Sequence, residues 1–177
     1  MRRSVLVALA VTALACASAT SSAQAPSFPR EAHGACPFEC CQYGRWTGRA
    51  ATVARVRPDR RSAEAFLIGR GESVDALTGV VVTLNPGRAR VTTTLQLEGV
   101  TVAAGQEVLV LRPLGEGVFK VWLSGRVFEA QLLPAGESAL RLLSEPRIVW
   151  WVQIRNGQGR IGWTDQADRF DGTDACG

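Results

Sequence analysis

The chain has one histidine, one tyrosine and a formal net charge of only +4 over 177 residues. Each scarcity closes off a class of function. A single imidazole, His33, is scant material for acid–base catalysis. No serine–histidine–aspartate set sits in a recognisable motif, no glycine-rich loop is built for phosphates, and no helix carries zinc-hydrolase spacing. The chain is therefore expected not to be an enzyme and to need no cofactor. A small positive balance is no electrostatic footprint for nucleic acid. Beyond the N-terminal region no apolar run is long enough to span a bilayer.

The N-terminal region has the three-part form of a secretory signal: Arg2-Arg3, an apolar run over 5–17 and small residues over 18–25. It is too short for a transmembrane helix. Ser21 and Ala23 suit cleavage after Ala23, whereas cleavage after Ala25 would put Pro26 beside the cut. Two other readings are a degenerate lipobox, Ala13-Leu14-Ala15-Cys16, and a twin-arginine signal, but the first lacks the usual leucine three residues before the cysteine and the second the rest of its motif. Residues 1–23 are expected to be removed, leaving 154 residues with a charge of +2 once Arg2 and Arg3 are gone. A secreted or periplasmic protein is expected. Its length suits one ordinary domain or two small barrels, burying about two thirds of the surface on folding.

Four cysteines remain in that mature chain, Cys36, Cys40, Cys41 and Cys176, an even number for an oxidising compartment. Pairing adjacent Cys40 and Cys41 would need a strained ring. Cys36 is thus expected to bond one of them and Cys176 the other. A competing reading takes His33, Cys36, Cys40 and Cys41 as a thiol-based metal or redox cluster, since soft metals favour such ligands. Its spacing matches no established zinc pattern.

The most structured stretch is Trp150-Trp151-Val152-Gln153-Ile154-Arg155-Asn156-Gly157-Gln158-Gly159-Arg160-Ile161-Gly162-Trp163. Runs rich in β-formers flank Asn-Gly-Gln-Gly, a composition suited to a hairpin. Alternation turns Trp150, Val152 and Ile154 to one face, the core, and Trp151, Gln153 and Arg155 to the other. The pattern of Trp151, Gln153-Ile154, Gly159-Arg160 and Gly162-Trp163 resembles the distal hairpin of bacterial SH3-like (SH3b) domains, which are small five-stranded barrels. Residues 44–84 resemble the front half of such a domain. A polar loop, Arg57-Pro58-Asp59-Arg60-Arg61-Ser62, precedes the apolar triplet Phe66-Leu67-Ile68, and Gly71-Glu72-Ser73-Val74 opens the next strand. The arginines of that loop are expected to be solvated.

The closing hairpin does not come at once. Asn85-Pro86-Gly87 breaks the chain, and strands are expected at 89–97, 107–114, 118–123 and 126–132. Gly105-Gln106-Glu107-Val108 repeats the earlier turn signal. Lys120-Val121 and Gly125-Arg126 echo Gln153-Ile154 and Gly159-Arg160 at a spacing of 33 to 34 residues, a weak internal repeat. The expected organisation is all-β: a Cys-containing segment 24–45, an SH3-like barrel from 46–84 plus 148–165, a degenerate SH3-like barrel 87–133 inserted within it, and an Asp-rich tail 166–177 with Cys176. One larger β-structure is the alternative. Residues 134–146 would be the return connection, with a short helical turn over 137–143.

The resemblance implies binding rather than catalysis. Secreted SH3b domains attach proteins to cell-wall peptides or mediate envelope contacts, so a cell-wall peptide or an envelope protein is the expected partner. Trp151, Gln153 and Arg155 would form the groove face with Trp163 in support; alternatively Trp151 only covers a neighbouring element. The groove tyrosines of proline-peptide binders are missing, since those segments read Val53-Ala54-Arg55-Val56 and Thr164-Asp165-Gln166-Ala167. Asp165, Asp168, Asp171 and Asp174 offer calcium-like oxygens but not EF-hand spacing, and are expected to lie on a solvated tail.

Overall fold

The computed structural model describes residues 25–132 and 139–176. The expected signal segment 1–23 and residues 133–138 of the return connection lie outside them. Among the described residues the strands are β1 (Arg30–His33), β2 (Gly44–Gly48), β3 (Thr52–Arg55), β4 (Glu64–Ile68), β5 (Ser73–Asn85), β6 (Gly87–Val91), β7 (Leu95–Leu97), β8 (Val100–Val102), β9 (Glu107–Gly115), β10 (Val118–Leu123), β11 (Arg126–Gln131), β12 (Leu140–Ser144), β13 (Arg147–Asn156), β14 (Ile161–Thr164) and β15 (Phe170–Asp171), with one short 3-10 helix, Ala167–Arg169. No helix among them is long and apolar enough to cross a membrane. The fold is all-β, in curled antiparallel sheets.

One strand is the spine. In β5 the run Gly79-Val80-Val81-Val82-Thr83 is rich in β-branched side chains, which suit a pleated surface. β13 runs antiparallel along nearly its whole length, from Arg147 opposite Asn85 to Asn156 opposite Val74. The other edge is taken by β2 against residues 73–76 and by β1 against residues 80–83. The first sheet has the order β15-β2-β5-β13-β14-β3-β4, with β1 beside β5. It curls over a core of Trp46, Ala54, Phe66, Ile68, Val74, Ala76, Val152, Ile154, Ala167 and Phe170. Val152 and Ile154 are fully buried, on the face that alternation assigns to the core.

Residues between β5 and β13 make a second sheet, β11-β10-β9-β6-β12, with a separate core that includes Val91, Val108, Val110, Val121 and Phe128. The hairpin β7–β8 adds Leu97 and Val102 to it. Burying each such side chain is worth about 1.5–3 kcal/mol. Three turns here, Glu98-Gly99, Glu116-Gly117 and Ser124-Gly125, hold both residues at positive φ, the geometry that matches the twist of tight hairpins. The expected continuous strand 89–97 is instead interrupted at 92–94, between β6 and the separate hairpin β7–β8. The two sheets meet where the buried Thr83 hydroxyl donates to the Leu111 carbonyl, 2.8 Å away.

Two expectations are corrected. The described part of 137–143 is not helical: Leu140 to Ser144 form β12, because Leu140 and Leu142 alternate and the strand pairs with the open edge of β6. Nor is 166–176 a solvated tail. Ala167 and Phe170 enter the first core, and β15 pairs with β2.

The ends of the described chain are tied together. Cys36 bonds Cys41 and Cys40 bonds Cys176, 136 residues away in sequence. Backbone bonds from Gln42 N to Thr173 O and from Ala175 N to Cys40 O, with a bridge between Cys41 and Asp174, continue the tie. Cross-linking so long a loop removes conformations mainly from the unfolded ensemble, so Cys176→Ser should lower unfolding free energy by about 2–5 kcal/mol. Denaturant melts of variant and parent measure this, and coincident midpoints would remove the bridge's structural role.

Candidate functional site

At one end of the first core the inward row of β13 finishes in Trp150, which is only partly buried. Its indole is the centre of an aromatic cluster: Phe38 meets it edge-on with ring centroids 5.6 Å apart, Trp46 lies at 5.9 Å and Tyr43 at 6.2 Å. Such edge-to-face arrangements bring the positive edge of one ring to the negative face of another. Trp46 is fully buried and donates from Nε1 to the Gln42 carbonyl at 3.1 Å. Phe38 belongs to the short loop closed by the Cys36–Cys41 bond, so the disulfide holds the loop that carries it.

The cluster packs closely because of Gly79. A Cβ there would stand 2.5 Å from Trp150 Nε1 and 2.6 Å from the Tyr43 hydroxyl oxygen. The hydroxyl donates to the Ala35 carbonyl at 3.1 Å. Trp150 Nε1 is buried beside the phenol oxygen but lacks the alignment of a hydrogen bond. Burial raises the Tyr43 pKa above its ordinary 10.0, with the nearby Trp150 N–H acting in the opposite sense.

Trp150 and Phe38 open onto a cleft of about 330 Å³ completed by Asp165, Ala167, Asp168 and Thr173. That volume lies within the ordinary size range of small-ligand sites, roughly 300–1,000 Å³. The β14–β15 connection supplies both carboxylates. Asp165 is engaged by Arg60 of the polar loop, so that arginine is not merely solvated as expected. The Asp168 backbone carbonyl accepts from Arg49, while its exposed carboxylate has no ion-pair or hydrogen-bond partner among the described residues. The lining therefore holds two aromatic rings, two carboxylates and no cation.

None of the four residues expected to bind a ligand lines this cleft. Trp151 points to the opposite face from Trp150, as alternation requires, but it is only 5% exposed and stands opposite equally buried Val80. It is not an open groove wall. Gln153 and Trp163 face each other across the β13–β14 pair, both half-buried. Arg155, exposed nearby, pairs with Asp75 at 3.1 Å, and Arg45 approaches the same carboxylate at 3.1 Å.

The thiol cluster is not assembled as a ligand set. All four cysteines are in disulfides, and exposed His33 pairs instead with Glu31 at 3.1 Å. Cys40, Asp174 and Cys176 lie close together, but both sulfurs are consumed by their mutual bond. The acidic row is likewise dispersed: Asp165 goes to Arg60, Asp171 to Arg49, and Asp174 Oδ1 accepts from the Cys176 N–H. Comparison with protein-family models, curated proteins and solved structures finds no match to this chain.

Two measurements test the aromatic cluster. Gly79→Ala forces a methyl between Trp150 and Tyr43 and should cost about 1–3 kcal/mol in a denaturant melt, as overpacking does; an unchanged midpoint would show that the cluster yields freely. Tyr43 is the sole tyrosine, so its ultraviolet phenolate band reports one group. The raised pKa means the native state holds the phenol proton longer, so this group's contribution to stability is level below about pH 10 and changes only as pH rises from there through the native pKa. Because the native state binds the proton more tightly than the unfolded chain does, that change is a decline toward the unfolded state at high pH. Titration at the unfolded value in the native protein would contradict it.

Proposed function

We propose that the chain is a non-catalytic binding protein of the bacterial envelope, exported by residues 1–23, whose cleft at Trp150 takes a cationic group of a cell-wall peptide or envelope protein. One observation carries the reading: two aromatic side chains, Trp150 and Phe38, line the cleft beside the unpaired carboxylate of Asp168, with Asp165 already paired to Arg60. An ammonium or guanidinium over an indole gains about 0.5–2 kcal/mol, more as it is desolvated. A neighbouring carboxylate adds a charge-assisted hydrogen bond. Asp165 is held in place by Arg60, and Asp168 is left able to accept. Two disulfides suit an oxidising compartment, which supports placement outside the cytoplasm.

The experiment is retention on purified cell wall, followed by titration with short lysine-containing and glutamate-containing peptides. The lysine peptide should bind, and binding should weaken with salt. Trp150→Phe and Asp168→Asn should each reduce affinity by about three- to thirtyfold, in line with the loss of one cation–π or one ionic contact. Asp168 is exposed, so its variant should fold as the parent does. Preference for the glutamate peptide, or equal binding by Asp168→Asn, would overturn the assignment.

A further inference from the structure

A second concavity lies at the junction of the two sheets and shares no lining residue with the Trp150 cleft. Its volume is about 140 Å³. Arg30 of β1 stands on one side, Arg112 of β9 and Lys120 of β10 on the other, with Leu111 and Val127 as apolar wall. The register explains the grouping. Lys120 lies opposite Arg112 on one flank and opposite Glu129 on the other, which sets the three side chains in a row across the sheet.

Two carboxylates border these cations: Glu129 pairs with the Lys120 ammonium at 2.7 Å, and Glu31, which also lines the concavity, sits 3.1 Å from His33, so the unpaired positive charge is that of Arg112 and Arg30. Arg112 is only partly exposed, and its guanidinium has no hydrogen-bond or ion-pair partner among the described residues; the same holds for the exposed side chain of Arg30. Burial pulls the Arg112 pKa below its ordinary value, against the opposing field of Glu129. A half-buried, unpaired guanidinium costs desolvation without return. Five N–H donors in a rigid fork match the two oxygens of a carboxylate or phosphate, and adjacent apolar walls strengthen that contact by excluding water.

We propose that this junction is a binding site for one small oxyanion group, a carboxylate or a phosphate, held by Arg112 with Arg30 and Lys120 beside it. The concavity is smaller than sites for whole small molecules, so it takes a head group rather than a complete ligand. Since the cations come from both sheets, an occupied site would also tie β1 to β9 and β10.

Thermal melts of the mature chain in graded sodium phosphate or sodium acetate, each against sodium chloride at equal ionic strength, test this. At least one anion should raise Tm with saturation; response to phosphate alone assigns a phosphate group, response to acetate a carboxylate. Arg112→Gln should weaken apparent affinity at least tenfold, with partial recovery in Arg112→Lys. Without anion, Arg112→Gln should melt no lower than the parent, because it removes an unpaired charge, whereas a purely structural arginine would lower Tm. Val127→Glu places a carboxylate at the exposed rim without touching the cations and should abolish the response. Absence of any anion-specific shift, an undiminished shift in Arg112→Gln, or an undiminished shift in Val127→Glu would each overturn the proposal.

Discussion

The β5–β13 ladder is the constraint on which the rest of the molecule depends. β5 is paired on both edges, by β13 along nearly its full length and by β2 and β1 on the other side. Buried backbone donors and acceptors must be satisfied, and a strand bonded on both sides meets that requirement without exposing an edge. The ladder also decides connectivity. Because β5 and β13 pair with each other, the described residues between them leave the first sheet at Gly87 and rejoin it at Arg147, and they form a sheet with its own core. Gly87 marks the departure sterically, since a Cβ there would lie 2.2 Å from the Ser144 carbonyl oxygen of the returning chain.

The candidate cleft depends on the same ladder. Alternation along β13 sends Val152 and Ile154 into the core and carries Trp150, next in that row, to the core's open end. The ends of the described chain then build walls around it. The Cys36–Cys41 loop brings Phe38 from one side, and the segment anchored by buried Phe170 brings Asp165 and Asp168 from the other. The Cys40–Cys176 bond joins those two walls covalently. The disulfide therefore stands close to the chemistry it frames as well as acting on the unfolded chain.

How much of this was legible can be judged residue by residue. Strand positions and the inward set of β13 come from period-two alternation, and the hairpin turn from Asn156, whose side chain accepts from the Gln158 and Arg160 N–H groups at 3.1 and 3.0 Å. Even cysteine count and the strain of a vicinal pair narrowed the bridges to two patterns, of which one is present. Trp151 shows the limit: its face was readable, but whether that face is covered depends on elements distant in sequence. β1 and β15 are too short for periodicity to declare them, and Phe170 alone marks the last as buried; β12 does alternate at Leu140 and Leu142, but its strand pairing depends on β6, distant in sequence. The cleft was visible only in fragments, as an acidic row and a lone phenylalanine between cysteines. An inward-facing tryptophan in the first half of its strand was the available signal, and assigning all of that row to the core concealed it.

The charges divide into two kinds. Half of the ion pairs among the described residues run across neighbouring strands: Arg155 and Arg45 with Asp75, Arg88 and Arg90 with Glu107, Lys120 with Glu129. The hydrogen bonds of Arg90 and Lys120 hold Glu107 and Glu129 below the ordinary carboxylate range. Exposed pairs of this sort are screened by solvent and add little to stability, so they favour a register more than they hold the fold. Among the charged groups without such a partner, the carboxylate of Asp168 and the guanidinium of Arg112 each line a concavity. Interior apolar contacts already account for both cores, and cross-strand partners account for the paired charges. A charge that serves neither role is free for a ligand, and this is what supports the two proposed sites.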